Sequence, residues 1–128
     1  MHPPFFLASK YGKMPPPSGR HAFHRRYEGG HTFPILANLR DNGIKLIHMR
    51  HEQATAYAAD GYARVTGKPG ICCVTAGCGL TNAVTGLCVA GLTNSAVVCL
   101  SGQHPTTEDL IGSFQEAYGS DVMNRIAL

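Results

Sequence analysis

Glu52, the turn Gly77-Cys78-Gly79, Gln103, and the pair Gly29-Gly30 followed by His31 are the residues whose types and places could do chemistry. In open parallel sheets, ligands bind outside the carboxyl ends of the strands. Glu52 follows an apolar segment ending near Met49. A carboxyl group there is either an acid or base facing a ligand, or an acid in the first turn that favours the helix dipole. The glycines around Cys78 suit a tight strand-to-helix turn, and they would also let a ligand approach the backbone closely. They do not complete a dinucleotide fingerprint: the third glycine is missing, and Ser101-Gly102-Gln103 supplies no ribose-binding acid. His31 reads as a structural histidine or as a catalyst.

The elements that must position these residues follow from periodicity. Thr32 to Leu39 suits a short helix with Phe33, Leu36 and Leu39 on one side, ended by Asp41-Asn42-Gly43. Ile44 to Met49 alternates apolar and polar residues as a strand does. Glu52 to Val65 is Ala-rich and helical, stopped by Gly67, Pro69 and Gly70. Ile71 to Ala76 is a continuous apolar run, suited to a strand covered on both faces. Leu80 to Leu92 predicts a helix rich in small residues, and Ser95 to Gly102 a further buried strand. Strands alternating with helices define an α/β fold: a parallel sheet with flanking helices, joined by right-handed crossovers.

Length and composition bound the rest. The chain has 128 residues, 44% of them hydrophobic and 15% charged, which suits one soluble domain. Pro69 to Thr107 carries no Asp, Glu, Lys or Arg, yet polar residues interrupt it and no membrane span is predicted. Residues 1–28 hold five basic residues against Glu28 alone, whereas the remainder holds six basic and seven acidic residues. The folded part has no basic face, so nucleic acid is not an expected partner.

Prolines 3, 4 and 15–17, together with missing periodicity, mark residues 1–28 as an irregular leader outside the fold; residues 29–128 are expected to form a partial domain. An Arg-rich, acid-poor start also suits an organellar transit peptide, but the Leu/Ser amphipathic pattern is absent and a cytoplasmic location is expected. The five cysteines show no CxxC spacing and are expected to be buried hydrophobes in a reducing compartment. Of the seven histidines only His21 and His24 share a short spacing, and no metal site is predicted.

Five motifs in order carry a resemblance. They are Arg50-His51-Glu52-Gln53-Ala54; Ala58-Ala59-Asp60-Gly61-Tyr62-Ala63-Arg64 with Thr66-Gly67-Lys68-Pro69-Gly70; Thr75 to Ala83; Ser101-Gly102-Gln103; and Gly112-Ser113-Phe114-Gln115-Glu116. From Gly29 to about Glu116 the chain resembles the N-terminal, pyrimidine-binding domain of thiamine-diphosphate enzymes. Acetolactate synthases, benzaldehyde lyases, oxalyl-CoA decarboxylases and 2-hydroxyacyl-CoA lyases belong to that family.

The resemblance implies a three-layer domain in which Glu52 hydrogen-bonds N1′ of the cofactor's aminopyrimidine. Protonating N1′ favours the imino tautomer, whose nitrogen can take the C2 proton of the thiazolium; the activated carbon attacks a carbonyl, and the ring serves as electron sink. A partly buried carboxyl would hold its proton more readily and could share it with N1′. Gly77, Cys78, Gly79, Thr81 and Asn82 are implied to line the pyrimidine pocket, with Phe114 beside the cofactor. Gln115 and His31 are the further catalytic candidates. Cys78 departs from the family's usual proline and sits at a helix N-terminus.

By the same resemblance, Mg²⁺ and the diphosphate are held by a domain absent from these residues, on another subunit or on a missing part of the chain. The intact enzyme is expected to be a homo-oligomer, and FAD, bound by some relatives, cannot be inferred. The expected function is the glutamate half of an acetolactate synthase-like active site acting on 2-oxo acids. A benzaldehyde lyase-, oxalyl-CoA decarboxylase- or 2-hydroxyacyl-CoA lyase-like fragment is the alternative, as is a non-catalytic partner or a defective truncated product. Substrate identity is not legible.

Overall fold

Four short strands pair entirely in parallel in the computed structural model, which describes residues 21–25 and 32–103. In chain order the elements are β1 (His21–Arg25), α1 (Phe33–Asp41), β2 (Lys45–Met49), α2 (Glu52–Thr66), β3 (Gly70–Val74), α3 (Cys78–Leu92) and β4 (Val97–Ser101). The sheet order is β2-β1-β3-β4. From β1 the chain moves to one neighbour, then crosses back over β1 to β3 and continues to β4. Right-handed crossovers then require α1 on one face and both α2 and α3 on the other.

The core follows that division, because side chains along a strand alternate between faces. Phe23, Cys72, Val74, Val97 and Cys99 face α2 and α3, packing on Ala56, Ala59, Leu80, Ala83, Leu87 and Ala90. Ala22, Ile71, Cys73 and Leu100 face the other way and meet Leu36 and Ile44. β3 is buried at all five positions, as its unbroken apolar run predicts.

One strand corrects the sequence reading. His21–Arg25 lies within the segment expected to be an irregular leader, yet it forms β1, paired with β2 on one side and β3 on the other. Ala22 is fully buried, and the Phe23 ring stands edge-on to Tyr62 with centroids 6.1 Å apart. Two inward apolar residues in a run of five are enough when both neighbours are supplied by the sheet. Residues 1–20 and 26–28 of that segment lie outside the described residues.

Smaller corrections concern helix ends and exposure. α3 begins at Cys78 rather than Leu80, because Gly77 is its N-cap and the helix follows at once. Phe33, expected to share a side of α1 with Leu36 and Leu39, is 66% exposed at the first position of the helix. Cys72, Cys73 and Cys99 are buried, whereas Cys78 and Cys88 lie on exposed positions of α3. Cys72 and Cys99 are register partners, and a thiol–thiol hydrogen bond together with burial holds the Cys72 thiol well above its ordinary range. It therefore behaves as the small protonated hydrophobe expected.

Helix stops match their residues. Gly67 closes α2 at φ 66°, returning its N–H to the Ala63 carbonyl at 2.9 Å. Ile44 N–H reaches back to the Leu39 carbonyl at 3.0 Å around Gly43, a Schellman closure of α1.

Candidate active site

Glu52 is the first residue of α2, directly after β2, and only 1% of it is exposed. Its helix is started by His51, whose extended backbone and Nδ1 acceptor take the Gln53 N–H at 3.1 Å. A negative charge at that end is favoured by the helix dipole, although burial removes the water that would otherwise stabilise it. Asn82, on the second turn of α3, donates from Nδ2 to Glu52 Oε2 at 3.3 Å.

This contact exists because α2 and α3 lie unusually close. One turn beyond Asn82 is Gly86, and one turn beyond Glu52 is Ala56. A Cβ on Gly86 would stand 2.6 Å from Ala56 Cβ and 3.1 Å from the Gln53 carbonyl oxygen. A stripe of small residues thus seats the two helix N-termini side by side.

The glycine turn completes the same edge. Gly77 has φ 60° and ψ −110°, a backbone state that side chains disfavour, so a residue with a Cβ there would be strained. Its carbonyl accepts the Thr81 N–H at 3.1 Å and opens α3. Gly79 packs on Thr75, whose methyl carbon lies 2.6 Å from where a Cβ would be. The Thr81 hydroxyl donates to the Cys78 carbonyl at 3.0 Å, so its proton is committed to the helix. Thr81, Asn82 and Cys78 are all exposed. In the order β2-β1-β3-β4 the connections leave β1 and β3 in opposite directions, which makes the carboxyl ends of that pair the switch point where such sheets bind ligands. The Gly77 turn follows β3 at that point.

The structure therefore brings Glu52 and Asn82 together and sets Gly77, Cys78, Gly79 and Thr81 along the start of the neighbouring helix. His31, Phe114 and Gln115 lie outside the described residues. Gln103, after β4, is exposed at the same edge. Among the described residues no group of three His, Cys, Asp or Glu is placed to hold a metal ion.

Two arrangements were not read from the sequence. Asp60 takes two hydrogen-bonded contacts from Arg64, at 2.9 Å to Nε and 2.8 Å to Nη2. Arg64 Nη2 also donates to Thr93 Oγ1 at 2.8 Å, tying the end of α2 to the turn after α3. The Arg64 hydrogen bonds hold the Asp60 carboxyl below its ordinary range, helped by Ser95 and opposed by burial. The i, i+4 spacing of acid and base was the available signal. The other arrangement is a ring contact between the register partners His24 and His48, with centroids 4.3 Å apart; nothing in residue spacing announces it.

The parallel sheet, the carboxyl at one strand end and the glycine turn at another define a class of cofactor-binding α/β domain. A family model for the thiamine pyrophosphate enzyme N-terminal TPP-binding domain matches residues 22–124, and the chain belongs to that family. Its relatives include a probable acetolactate synthase of Mycobacterium bovis, 43% identical over 88 residues, covering 69% of this chain and 16% of that protein. A probable acetolactate synthase large subunit of Methanocaldococcus jannaschii is 48% identical over 92 residues, covering 70% of this chain and 15% of its own. The acetolactate synthase isozyme 2 large subunit of Escherichia coli is 48% identical over 77 residues, covering 60% and 14%. The chain thus spans about one sixth of the length of these curated relatives.

Proposed function

We propose that this domain supplies the proton-sharing carboxyl, Glu52, to thiamine diphosphate in an acetolactate synthase-like carboligase or decarboxylase acting on 2-oxo acids. The observation that carries the reading is the Glu52 site itself. A carboxyl that is 1% exposed is held by the Asn82 amide at the adjoining ends of two helices, in the chain segment that follows a strand of a parallel sheet. The donor set suits the cofactor. A carboxyl and a carboxamide beside a glycine-flanked turn match a heteroaromatic ring with nitrogen acceptors and an amino group. That its relatives are acetolactate synthases supports the reaction class, and the substrate class is carried over from them on that basis.

When bound, the cofactor supplies the nucleophilic carbon and the electron sink. Glu52 would hold or release a proton at the ring nitrogen, and its low exposure would keep water from competing. Gly77 and Gly79 would leave the backbone open along one side of the ring, with Cys78 and Thr81 at its rim. Mg²⁺ and the diphosphate are assigned to residues beyond these, since divalent cations require several oxygen ligands.

The test uses the pyrimidine half alone, 4-amino-5-hydroxymethyl-2-methylpyrimidine, titrated into isotope-labelled chain and followed by NMR. Amide shifts centred on Glu52, Gly77, Cys78, Gly79 and Thr81 and on the Asn82 side chain are expected, with millimolar affinity, and Glu52→Gln should weaken them. Shifts that leave these residues untouched, or binding indifferent to Glu52→Gln, would overturn the reading. In an intact enzyme carrying this domain, Glu52→Gln should reduce turnover by about 10²–10⁴-fold, the usual range for acid–base catalysis.

A further inference from the structure

We infer that Asn82 is a positioning residue for Glu52: by donating to Oε2 it fixes the orientation of the carboxyl and lowers its proton affinity. The inference rests on the reading of Glu52 as the carboxyl that meets the pyrimidine, and it deepens it by naming the residue that orients and tunes that carboxyl.

The argument is geometric. Asn82 Nδ2 donates to Oε2 at 3.3 Å, which sets that oxygen as an acceptor and holds the carboxyl plane in one orientation. The two partners are thirty residues apart in sequence, and no local turn holds them together. What holds them is the α2–α3 contact, with Gly86 against Ala56 and Gln53 one turn further along each helix. Asn82 is itself exposed and makes no other side-chain hydrogen bond among the described residues, whereas Ala83, Gly86 and Leu87 supply the packing of α3. Arg50 and His51 precede Glu52 in the chain, and Cys78 opens α3. His51 takes the Gln53 N–H on Nδ1, and Cys78 is an exposed thiol.

Replacing Asn82 separates positioning from structure. A donor to a carboxylate favours its charged form, and an added like charge disfavours it. In ¹³C-glutamate-labelled chain, with Glu52 assigned by its loss in Glu52→Gln, Asn82→Ala should move the Glu52 titration midpoint upward by about one pH unit, the size of effect expected for a carboxylate that loses a hydrogen-bond donor. Asn82→Asp should move it further. The urea midpoint of Asn82→Ala should be unchanged or slightly higher, because alanine favours the helix. An unmoved Glu52 midpoint in both variants would overturn the inference, whatever happened to stability.

The pyrimidine titration keeps the two claims apart. If the fragment still perturbs Glu52 and Gly77 while Asn82→Ala leaves the Glu52 midpoint unmoved, positioning fails and the proposed function stands. If the midpoint moves but the fragment does not bind, the positioning by Asn82 stands and the cofactor reading fails.

Discussion

Gly86→Ala sets two opposing effects against each other at the contact on which the candidate site depends. In the middle of a helix the change should stabilise, since glycine is less favourable than alanine by about 1 kcal/mol. Here the new methyl would meet Ala56 Cβ at 2.6 Å, the Gln53 oxygen at 3.1 Å and the Tyr57 nitrogen at 3.3 Å. None of these atoms is the far end of a flexible side chain, so α2 and α3 must move apart. Overpacking of this kind typically costs about 1–3 kcal/mol, and contacts with two backbone atoms argue for the upper part of that range. The net expectation is a loss of roughly 1–2 kcal/mol, from the difference of those two ranges.

Urea unfolding followed by far-ultraviolet circular dichroism reads this directly. With a dependence of about 1–3 kcal/mol per molar urea, the midpoint should fall by roughly half to one molar. Ala56→Gly removes the nearest atom, so the double variant should lose less than the two single losses added, with a coupling of about 0.5–3 kcal/mol. A Gly86→Ala midpoint equal to or above the unmodified chain would refute the close approach, and with it the account of how Asn82 reaches Glu52.

Two further changes probe other parts of the fold. Phe23→Ala should cost about 3–5 kcal/mol, the usual penalty for truncating a buried aromatic, because Phe23 lies on a strand with a neighbour on each side and packs on Tyr62; an unchanged urea midpoint would return His21–Arg25 to the status of a leader. Asp60→Asn should remove a pH-dependent part of stability. The folded-state carboxyl lies below its ordinary range, so its contribution is present above the unfolded value and is lost as pH falls through the folded one. The midpoint gap between Asp60→Asn and the unmodified chain should therefore narrow from pH 6 towards pH 3, and a constant gap would refute the Arg64 clasp.

What the sequence made legible was whatever repeats locally. The all-buried run of β3, the glycine stop of α2 and the carboxyl at the start of that helix are each written within a dozen residues, and each lies where periodicity and turn chemistry put it. β1 escaped that reading for a physical reason. His-Ala-Phe-His-Arg has only two inward apolar side chains, and its identity as a strand is conferred by partners at Lys45–Met49 and Ile71–Cys73. Local composition, weighted by the prolines upstream, says nothing about non-local pairing.

The candidate site divides in the same way. Glu52 and the Gly77–Gly79 turn could be singled out because a strand end followed by an acid, or by glycines, is a place where a ligand can lie. Asn82 entered only through resemblance, as one of several residues lining a pocket. Its pairing with Glu52 arises from topology. Two successive crossovers of one hand bring α2 and α3 to the same face, and alanines and a glycine at the contact remove the side-chain bulk that would hold them apart. A Leu or Val at position 86 would leave every local signal of the α3 helix intact and still separate the amide from the carboxyl. The small residues that look least chemical in this sequence are thus the ones that decide whether Asn82 reaches Glu52.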